Sequence, residues 1–236
     1  AGYLEVNRDG FDQKTVTLPR FVDMRSEGYF SGDLLVARDR DVLPLLMDVE
    51  ELNYVATASW SPGVELSKLA VRRDRSIRFG PTNDTETSPD IIQDFSAAVL
   101  DTKAGRYLAA NLQEPPEPTD CPKEPKDFAL ATGKAGEAAF IALDPWAWDL
   151  PMLIAHDLVD AIAVYGDMLR SDGDQSKIKF GRPPSDGTAS QRHAAGRYAE
   201  RIYFHLLNCG LRIPPVAFSN SGETNAPPGF NRLYVA

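Results

Sequence analysis

The first third of the chain alternates apolar and polar residues in short runs, which is the pattern of β-strands. Such runs cover Tyr3–Val6 and Lys14–Leu18, with Arg-Asp-Gly at residues 8–10 between them. Alternation of period two places apolar side chains on one face of a strand, and a short polar segment with glycine permits a tight turn. The pattern recurs at Val64–Val71 and Ser76–Phe79. We therefore predict two β-hairpins.

Two segments of the first half carry helical signals instead. Val42–Tyr54 is predicted to contain a short helix after Pro44, because proline is tolerated in a first helical turn. Ser88 is a good N-cap, and it is followed by proline, aspartate and apolar residues at helical spacing. We predict a helix that starts at Ser88 and ends at Gly105.

Prolines interrupt the middle of the chain. Residues 114–126 contain five of them, too many for a helix or a sheet strand, so this segment is predicted to be an extended connector. After it, Glu137–Leu143 is mostly apolar and is predicted to be a buried strand.

Two long helices are predicted to follow. The first is expected to run from Asp149 to near Gly173, with apolar residues around most of its circumference. The second is expected to begin at a capping box in residues 188–191 and to end at Gly210. Short strands are then predicted at Leu211–Ile213, Val216–Phe218 and Arg232–Val235.

This order of elements favours an α+β fold over a doubly wound sheet, because strands concentrate early and long helices late. A chain of 236 residues with 43% hydrophobic residues is large enough for one good core. We predict a single α+β domain spanning residues 1–236. The alternative is a subdivision into a strand-rich part at 1–113, the connector at 114–126 and a helix-rich part at 127–236.

Charge and cysteine content limit the partners. Twenty-five basic against 34 acidic residues give a formal net charge of −9, which disfavours strong binding of nucleic acid. No apolar run approaches the ~20 residues of a membrane-spanning helix, so no membrane partner is expected. Cys121 and Cys209 have no metal-ligand spacing and are too few for a disulfide scaffold. We expect a soluble protein of the cytoplasm or of an assembled intracellular particle, with no cofactor.

The first long helix offers the main catalytic candidates. At 100° per residue, His156, Asp160, Asp167 and Arg170 fall on one side of an otherwise apolar helix. His156 and Asp160, four residues apart, have the spacing of a carboxylate-oriented general base or of two metal ligands. The alternative is the solvent-facing strip of a packed helix, which we favour because no third ligand occurs at motif spacing.

The second long helix carries the other two histidines. His193, near its start, would complete a catalytic or metal site with His156 and Asp160 only if the two helices pack with those faces together. His205 shares a predicted face with apolar residues and is expected to be a hydrogen-bonded core histidine.

Binding candidates lie at two other places. Arg72, Arg73 and Arg75 form a dense basic turn that suits an anion or an acidic protein surface, although a solvated hairpin tip is the simpler interpretation. Trp146 and Trp148 lie between carboxylates, a composition typical of a sugar platform or a protein-binding hot spot. The alternative is core packing, which we favour for Trp148 as a staple onto the start of the first long helix.

Motifs for nucleophilic catalysis and phosphate binding are weak. The turns at residues 59–63 and 219–222 contain serine and glycine but do not match the nucleophile elbow. Residues 133–136 lack the flanking residues of a phosphate-binding loop. The sequence therefore favours a non-enzymatic structural or interaction subunit of a larger assembly, of which a virion or capsid is one version, that binds a protein partner or itself. The alternative is a hydrolase that uses His156, Asp160 and His193.

Overall fold

A computed structural model describes residues 22–39, 41–60, 76–79, 91–112, 123–133, 138–169, 181–182 and 194–236. Within these residues, nine strands form one mixed sheet. They are β1 Phe30–Asp33, β2 Tyr54–Trp60, β3 Ser76–Phe79, β4 Ile91–Asp101, β5 Arg106–Ala110, β6 Ala139–Ala142, β7 Ala161–Tyr165, β8 Pro215–Ala217 and β9 Leu233–Val235. The strand order is β8-β7-β6-β5-β4-β2-β1-β9, and β3 pairs with β4.

The sheet curls until its two sides nearly meet, which gives it a barrel-like shape. Beyond β1, the Leu34 N–H donates to the carbonyl of Ala217 at 3.4 Å, and the Asn220 N–H donates to the carbonyl of Leu35 at 2.9 Å. These bonds join the chain that follows β1 to the chain that follows β8. Because a curled sheet encloses one of its faces, side chains on that face form an interior core.

The interior core is rich in small residues. Its buried members are Leu35, Ala56, Ala97, Val99, Leu108, Ala110, Ile141, Leu143, Ala161, Ala163 and Phe218. Alanines at five of these positions leave room for the fully buried ring of Phe218 in a narrow barrel. The interior is therefore filled by apolar side chains.

Helices cover the outer face of the sheet. They are α1 Leu43–Val49, α2 Pro125–Gly133, α3 Leu150–Ala155 and α4 Ala194–Asn208. Phe128 of α2 and Leu153 of α3 pack against the outer side chains of β4 to β7, where the Tyr107 and Phe140 rings stack with centroids 5.3 Å apart. Leu43 and Met47 of α1 pack on Val55 of β2. A second core layer thus lies outside the barrel.

The predicted helix from Ser88 to Gly105 is wrong, because residues 91–101 form β4, the longest strand described. Ala97, Ala98, Val99 and Leu100 are all buried, since β4 has the interior core on one face and helices on the other. A strand buried on both faces loses its alternation and resembles a buried helix. Gly105 lies in the turn between β4 and β5 instead of at a helix end.

The first long helix is wrong for the same reason. α3 has only six residues, Asp157 after it has a positive φ of 55°, and residues 161–165 form β7. The run Ala-Ile-Ala-Val at 161–164 is buried on both faces of the sheet. Its uniform apolar character was compatible with a buried helix, but the partners of β7 are strands β6 and β8.

Other predictions are confirmed. The short helix after Val42 is α1, the buried strand within Glu137–Leu143 is β6, and strands occur at 215–217 and 233–235. The helix that ends at Gly210 is α4, whose last turn closes with Leu211 N–H on the Leu206 carbonyl and Gly210 at φ 83°. Leu211–Ile213 is not a strand.

The fold is mixed α and β, as predicted. Five of its nine described strands lie before residue 111 and four after residue 138, and all of them belong to one sheet. The hairpin at residues 3–18, the capping box at 188–191 and most of the proline-rich connector lie outside the described residues.

Candidate functional site

Six strands end at the same rim of the barrel. β1, β2 and β4 run parallel, as do β6, β7 and β8, and β5 is antiparallel to both neighbours, β4 and β6. The carboxyl ends of these six strands and the amino end of β5 therefore meet at one end of the sheet, which we call the carboxyl rim. Ligands of open α/β sheets commonly bind outside such strand ends. The rim is accordingly the first place to look for a site.

One arginine organises the rim. Arg106, the first residue of β5, donates from Nε and Nη2 to Asp144 at 3.0 and 2.7 Å, and from Nη1 and Nη2 to Asp167 at 2.7 and 2.9 Å. Asp144 follows β6 and Asp167 follows β7. The Asn220 amide donates to Asp167 at 3.0 Å. The guanidinium lies 5.8 Å from the centre of the Phe218 ring, so it caps the apolar interior.

The charged side chains at the rim are paired, and protein atoms around them remove part of their hydration. Burial of the Arg106 guanidinium works to lower its pKa, but the hydrogen bonds and charges of Asp167 and Asp144 outweigh burial, and the pKa lies well above its ordinary value. Asp101, the last residue of β4, keeps much of its surface in water, yet nearby protein removes part of its hydration and raises its pKa. Arg106 partly opposes that rise. Arg106 therefore remains a cation with two carboxylate partners.

The carboxylate of Asp33 joins the two sides of the curled sheet. Asp33, the last residue of β1, is fully buried and accepts from the Ser219 hydroxyl and from the backbone N–H of Ser219, Gly229 and Leu35 at 3.0, 2.7 and 3.2 Å. Burial raises the pKa of Asp33, and its four hydrogen bonds work in the opposite direction. This carboxylate holds the loop after β8 against β1.

The turn at residues 219–222 is part of this closure. Ser219 and Ser221 are fully buried, and Ser221 Oγ accepts from Arg38 Nε at 2.9 Å. Gly222 has φ 109°, and a Cβ there would lie 2.1 Å from the Ala37 carbonyl oxygen. A serine that is buried and bonded to Asp33 presents no hydroxyl to a substrate. The turn at residues 219–222 therefore has a structural role, which is to hold the chain after β8 against the chain at β1.

Sequence reasoning missed the rim residues, although a signal was present. An aspartate stands at the end of four strand-like runs, Phe-Ser-Gly-Asp33, Ala-Val-Leu-Asp101, Ile-Ala-Leu-Asp144 and Val-Tyr-Gly-Asp167. A carboxylate directly after an apolar run marks a strand that ends at a polar rim. The misassigned helices hid this repetition, because two of the four aspartates fell inside predicted helices.

The predicted catalytic residues do not form a helix stripe. His156 caps the carboxyl end of α3 and is exposed. Asp160, also exposed, precedes β7, and its carboxylate accepts from the Phe140 N–H at 2.7 Å. Asp167 is at the rim, whereas His193 lies outside the described residues. His205 is exposed on α4, so the prediction of a core histidine is wrong.

The two tryptophans have opposite environments. Trp146 is buried, and its ring stacks on Tyr198 of α4 with centroids 6.0 Å apart. Trp148 is 58% exposed, with the Arg182 guanidinium 5.8 Å from its ring centre. Core packing therefore describes Trp146, whereas the core packing favoured for Trp148 is wrong, because its ring lies largely in solvent. Arg72, Arg73 and Arg75 lie outside the described residues.

The described part of the chain contains neither a metal-binding cluster nor a membrane-spanning helix. There, no group of three or more His, Cys, Asp or Glu side chains is placed to hold a metal ion. Nor does any helix of those residues have the length and apolar character to cross a membrane.

Two helices expose apolar side chains. Val42, Leu45 and Val49, which we call the α1 stripe, are 48, 64 and 68% exposed. Phe204, Leu207 and Leu211, the α4 stripe, are 54, 37 and 36% exposed. Val42, Leu45 and Val49 have the spacing i, i+3, i+7 and Phe204 and Leu207 the spacing i, i+3, which aligns side chains along one side of a helix. Leu211 follows the end of α4 at Gly210 and extends the second set beyond the helix. Neither stripe faces the core of its own molecule.

Comparison of the chain with family models, curated proteins and solved structures finds no match. The function is therefore argued from the residues of this chain alone.

Proposed function

We propose that this protein is a non-enzymatic subunit of a larger protein assembly and that it binds other protein chains through the α1 and α4 stripes. The observation that carries the proposal is the exposure of Leu45 and Val49, 64 and 68%, on a helix whose other face is completely buried. Single exposed apolar residues are common on protein surfaces, but aligned sets mark interaction sites.

The spacing of the stripes suits helix-mediated recognition. Apolar anchors at i, i+3 and i+7 are what an amphipathic helix presents to a groove or to another helix. In α1, Leu43 and Met47 hold the helix to the sheet while the opposite side stays apolar. α4 repeats the arrangement, with Ala195 and Ala199 buried against Trp146 and Met168. Each helix is fixed in place with an apolar side left over.

The hydrogen-bond network at the rim also supports a non-enzymatic role. Arg106 is engaged by Asp144 and Asp167, and Ser219 is engaged by Asp33. A catalytic site requires a nucleophile or base within reach of substrate. These polar groups are directed at one another. The hydrolase alternative, built on His156, Asp160 and His193, gains no support from an arrangement in which His156 and Asp160 lie on separate elements.

The proposal is tested by site-specific photo-crosslinking in the cells that express the protein. A benzoylphenylalanine at position 45 or 207 is expected to give a discrete covalent adduct with another protein chain, because both positions lie at the proposed contacts. Lys103, exposed in the turn between β4 and β5, is the control position and is expected to give none. If the assembly is a virion or capsid, the adduct will co-purify with particles.

Two results would overturn the proposal. One is the absence of adducts at both positions under conditions where the protein is folded and abundant. The other is an identical, diffuse set of adducts at positions 45, 103 and 207, which would show that the stripes are ordinary surface.

A further inference from the structure

The charges around the two stripes are opposite in sign. Exposed residues on and beside the α1 stripe include Asp39, Asp41, Asp48 and Glu51, whereas the neighbouring Arg40 lies outside the described residues. Exposed residues on and beside the α4 stripe include Arg197, Arg201 and Arg212. Between residues 194 and 222 the only acidic residue is Glu200. A basic surface of this kind stands out in a chain of net charge −9.

The charged and apolar residues share the same sides of their helices. At 100° per residue, Arg197 and Arg201 lie within about 60° of Phe204 on α4. On α1, Asp48 lies within a similar angle of Leu45, and Asp41 stands two residues before the first residue of the helix. Each stripe spans eight residues from first to last, which on α1 is a length of about 10 Å at 1.5 Å per residue. The α4 stripe continues past the helix end to Leu211. The two surfaces therefore match in length and spacing and are opposite in charge.

The two stripes of one molecule are not in contact with each other. α1 packs on Val55 of β2 and α4 packs along β7, and no apolar cluster of the described residues contains side chains of both helices. All six stripe residues remain exposed or near the exposed range in the isolated chain. Contact between an α1 stripe and an α4 stripe thus requires two molecules.

We propose that the occupant of each stripe is a second copy of this chain, with the α4 stripe of one copy packed on the α1 stripe of the next. This inference rests on the proposed function and names the partner. The contact is heterologous, since different surfaces meet, so it continues from copy to copy into a ring or a filament. Complementary charge sets the pairing of α1 with α4, because like stripes would bring like charges together.

The small area of the two stripes limits the expected affinity between two copies. Three apolar side chains on each partner cover less than the roughly 800 Å² per partner of a standard interface. Association through this contact alone is therefore weak, increases with protein concentration and decreases as salt screens the flanking charges. Its weakness makes the contact sensitive to single changes.

The test uses purified full chain in sedimentation and light-scattering measurements over a range of concentrations. One double variant, Leu45→Gln with Val49→Gln, removes the α1 stripe. Another, Phe204→Gln with Leu207→Gln, removes the α4 stripe. Each alone is expected to be monomeric where the wild type associates. Mixed together, they are expected to form a 1:1 dimer that grows no further, since one intact stripe of each kind remains available.

A matched control and a charge-reversal pair accompany the mixing experiment. Val235→Gln, an exposed apolar position on β9, is expected to leave association unchanged. Asp48→Arg is expected to weaken association at least tenfold, and adding Arg197→Asp in the same chain is expected to restore most of it. The charge-reversal arm leaves the apolar stripes intact, so it remains informative if a stripe variant fails to fold.

Each contrary outcome overturns the inference. A wild type that is monomeric at all concentrations excludes a second copy, while photo-adducts to a different protein would still uphold the proposed function. A mixture of stripe variants that stays monomeric shows that the α1 stripe does not pair with the α4 stripe. Association abolished by changes in one stripe only shows that like surfaces meet. Failure of Arg197→Asp to compensate shows that the charges do not pair as proposed.

Discussion

The carboxyl rim and the helical stripes are opposites. At the rim, Arg106 lies between Asp144 and Asp167, and the buried Asp33 accepts from four donors, so these charged side chains are largely withdrawn from water and paired. On α1 and α4, apolar side chains such as Leu45 and Phe204 remain in water with no apolar partner from the described parts of their own chain covering them. One region is polar and internally satisfied, and the other is apolar and exposed.

This difference indicates that the rim contributes to the stability of the fold and that the stripes contribute to binding. A charge taken out of water is tolerated when its partners are already in place, and loss of a partner then costs stability. An apolar side chain left in water contributes little to stability, and its burial is completed only by another molecule. We therefore expect loss of the paired groups Arg106 and Asp33 to destabilise the protein and changes on the stripes to alter only its associations. The predictions below test this division, beginning with the largest effect.

Arg106→Met should be the most damaging change. It leaves Asp144, with 1% of its side chain exposed, and Asp167 without their cation, and an uncompensated buried charge typically costs about 3–5 kcal/mol. Urea unfolding followed by circular dichroism measures the loss in the free energy of unfolding. Arg197→Met is the matched control on the surface and should change it by less than about 0.5 kcal/mol. Equal effects of the two changes would contradict the division.

Asp33→Ala should be next. It leaves the Ser219 hydroxyl and three backbone N–H groups without an acceptor, although it also removes a carboxyl whose burial is unfavourable. The expected net loss is about 2–3 kcal/mol, and Asp41→Ala, at an exposed position, should be close to neutral. Hydrogen exchange should localise the damage to the loop after β8. Uniform protection with an unchanged unfolding midpoint would exclude a closing role for Asp33.

Asp101→Asn should have a smaller effect that depends on pH. Desolvation raises the pKa of Asp101 in the folded protein, so the folded state binds this proton more tightly than the unfolded state does. Its contribution to stability is then present at acidic pH below about 4 and is lost as pH rises through the raised pKa. Asparagine is neutral throughout, so the variant should be slightly more stable than wild type at pH 7 and should show a flatter pH profile. Thermal melts between pH 4 and 8 measure the stability at pH 7 and the shape of the pH profile, with Asp41→Asn as the control. If Asp101→Asn is less stable than wild type at pH 7, the attraction between Asp101 and Arg106 outweighs the desolvation of Asp101.

His156→Ala should have the smallest effect. The residue is exposed at the end of α3 and belongs neither to the rim nor to a stripe, so the free energy of unfolding should stay within about 0.5 kcal/mol. Added zinc or a chelator should shift the melting temperature of neither protein. A melting temperature that rises with zinc only in the wild type would reveal a metal site and revive the hydrolase alternative.

Sequence reasoning located the elements whose signals are local. α1, β6 and the end of α4 at Gly210 follow from proline, apolar runs and a helix-ending glycine near one another in the chain. It failed at β4 and β7, where both faces are buried and strand alternation is lost. Of the predicted site residues, Trp148 was expected to pack in the core and is exposed instead, whereas His156 and Asp160 were grouped by a helix that does not exist.

The sequence by itself determined the mixed composition, the acidic charge, the apolar runs and the local signals at helix ends, because each depends on residues a few positions apart. Only the tertiary structure decided that the strands close into one curled sheet. Closure brings Asp33 to Ser219 across 186 positions and Arg106 to Asp167 across 61, separations that no local pattern encodes. It also decided which apolar residues find partners. Leu43 is buried against the sheet and Leu45, two positions later, is left in water, a difference that arises only when the helix meets the strands beneath it.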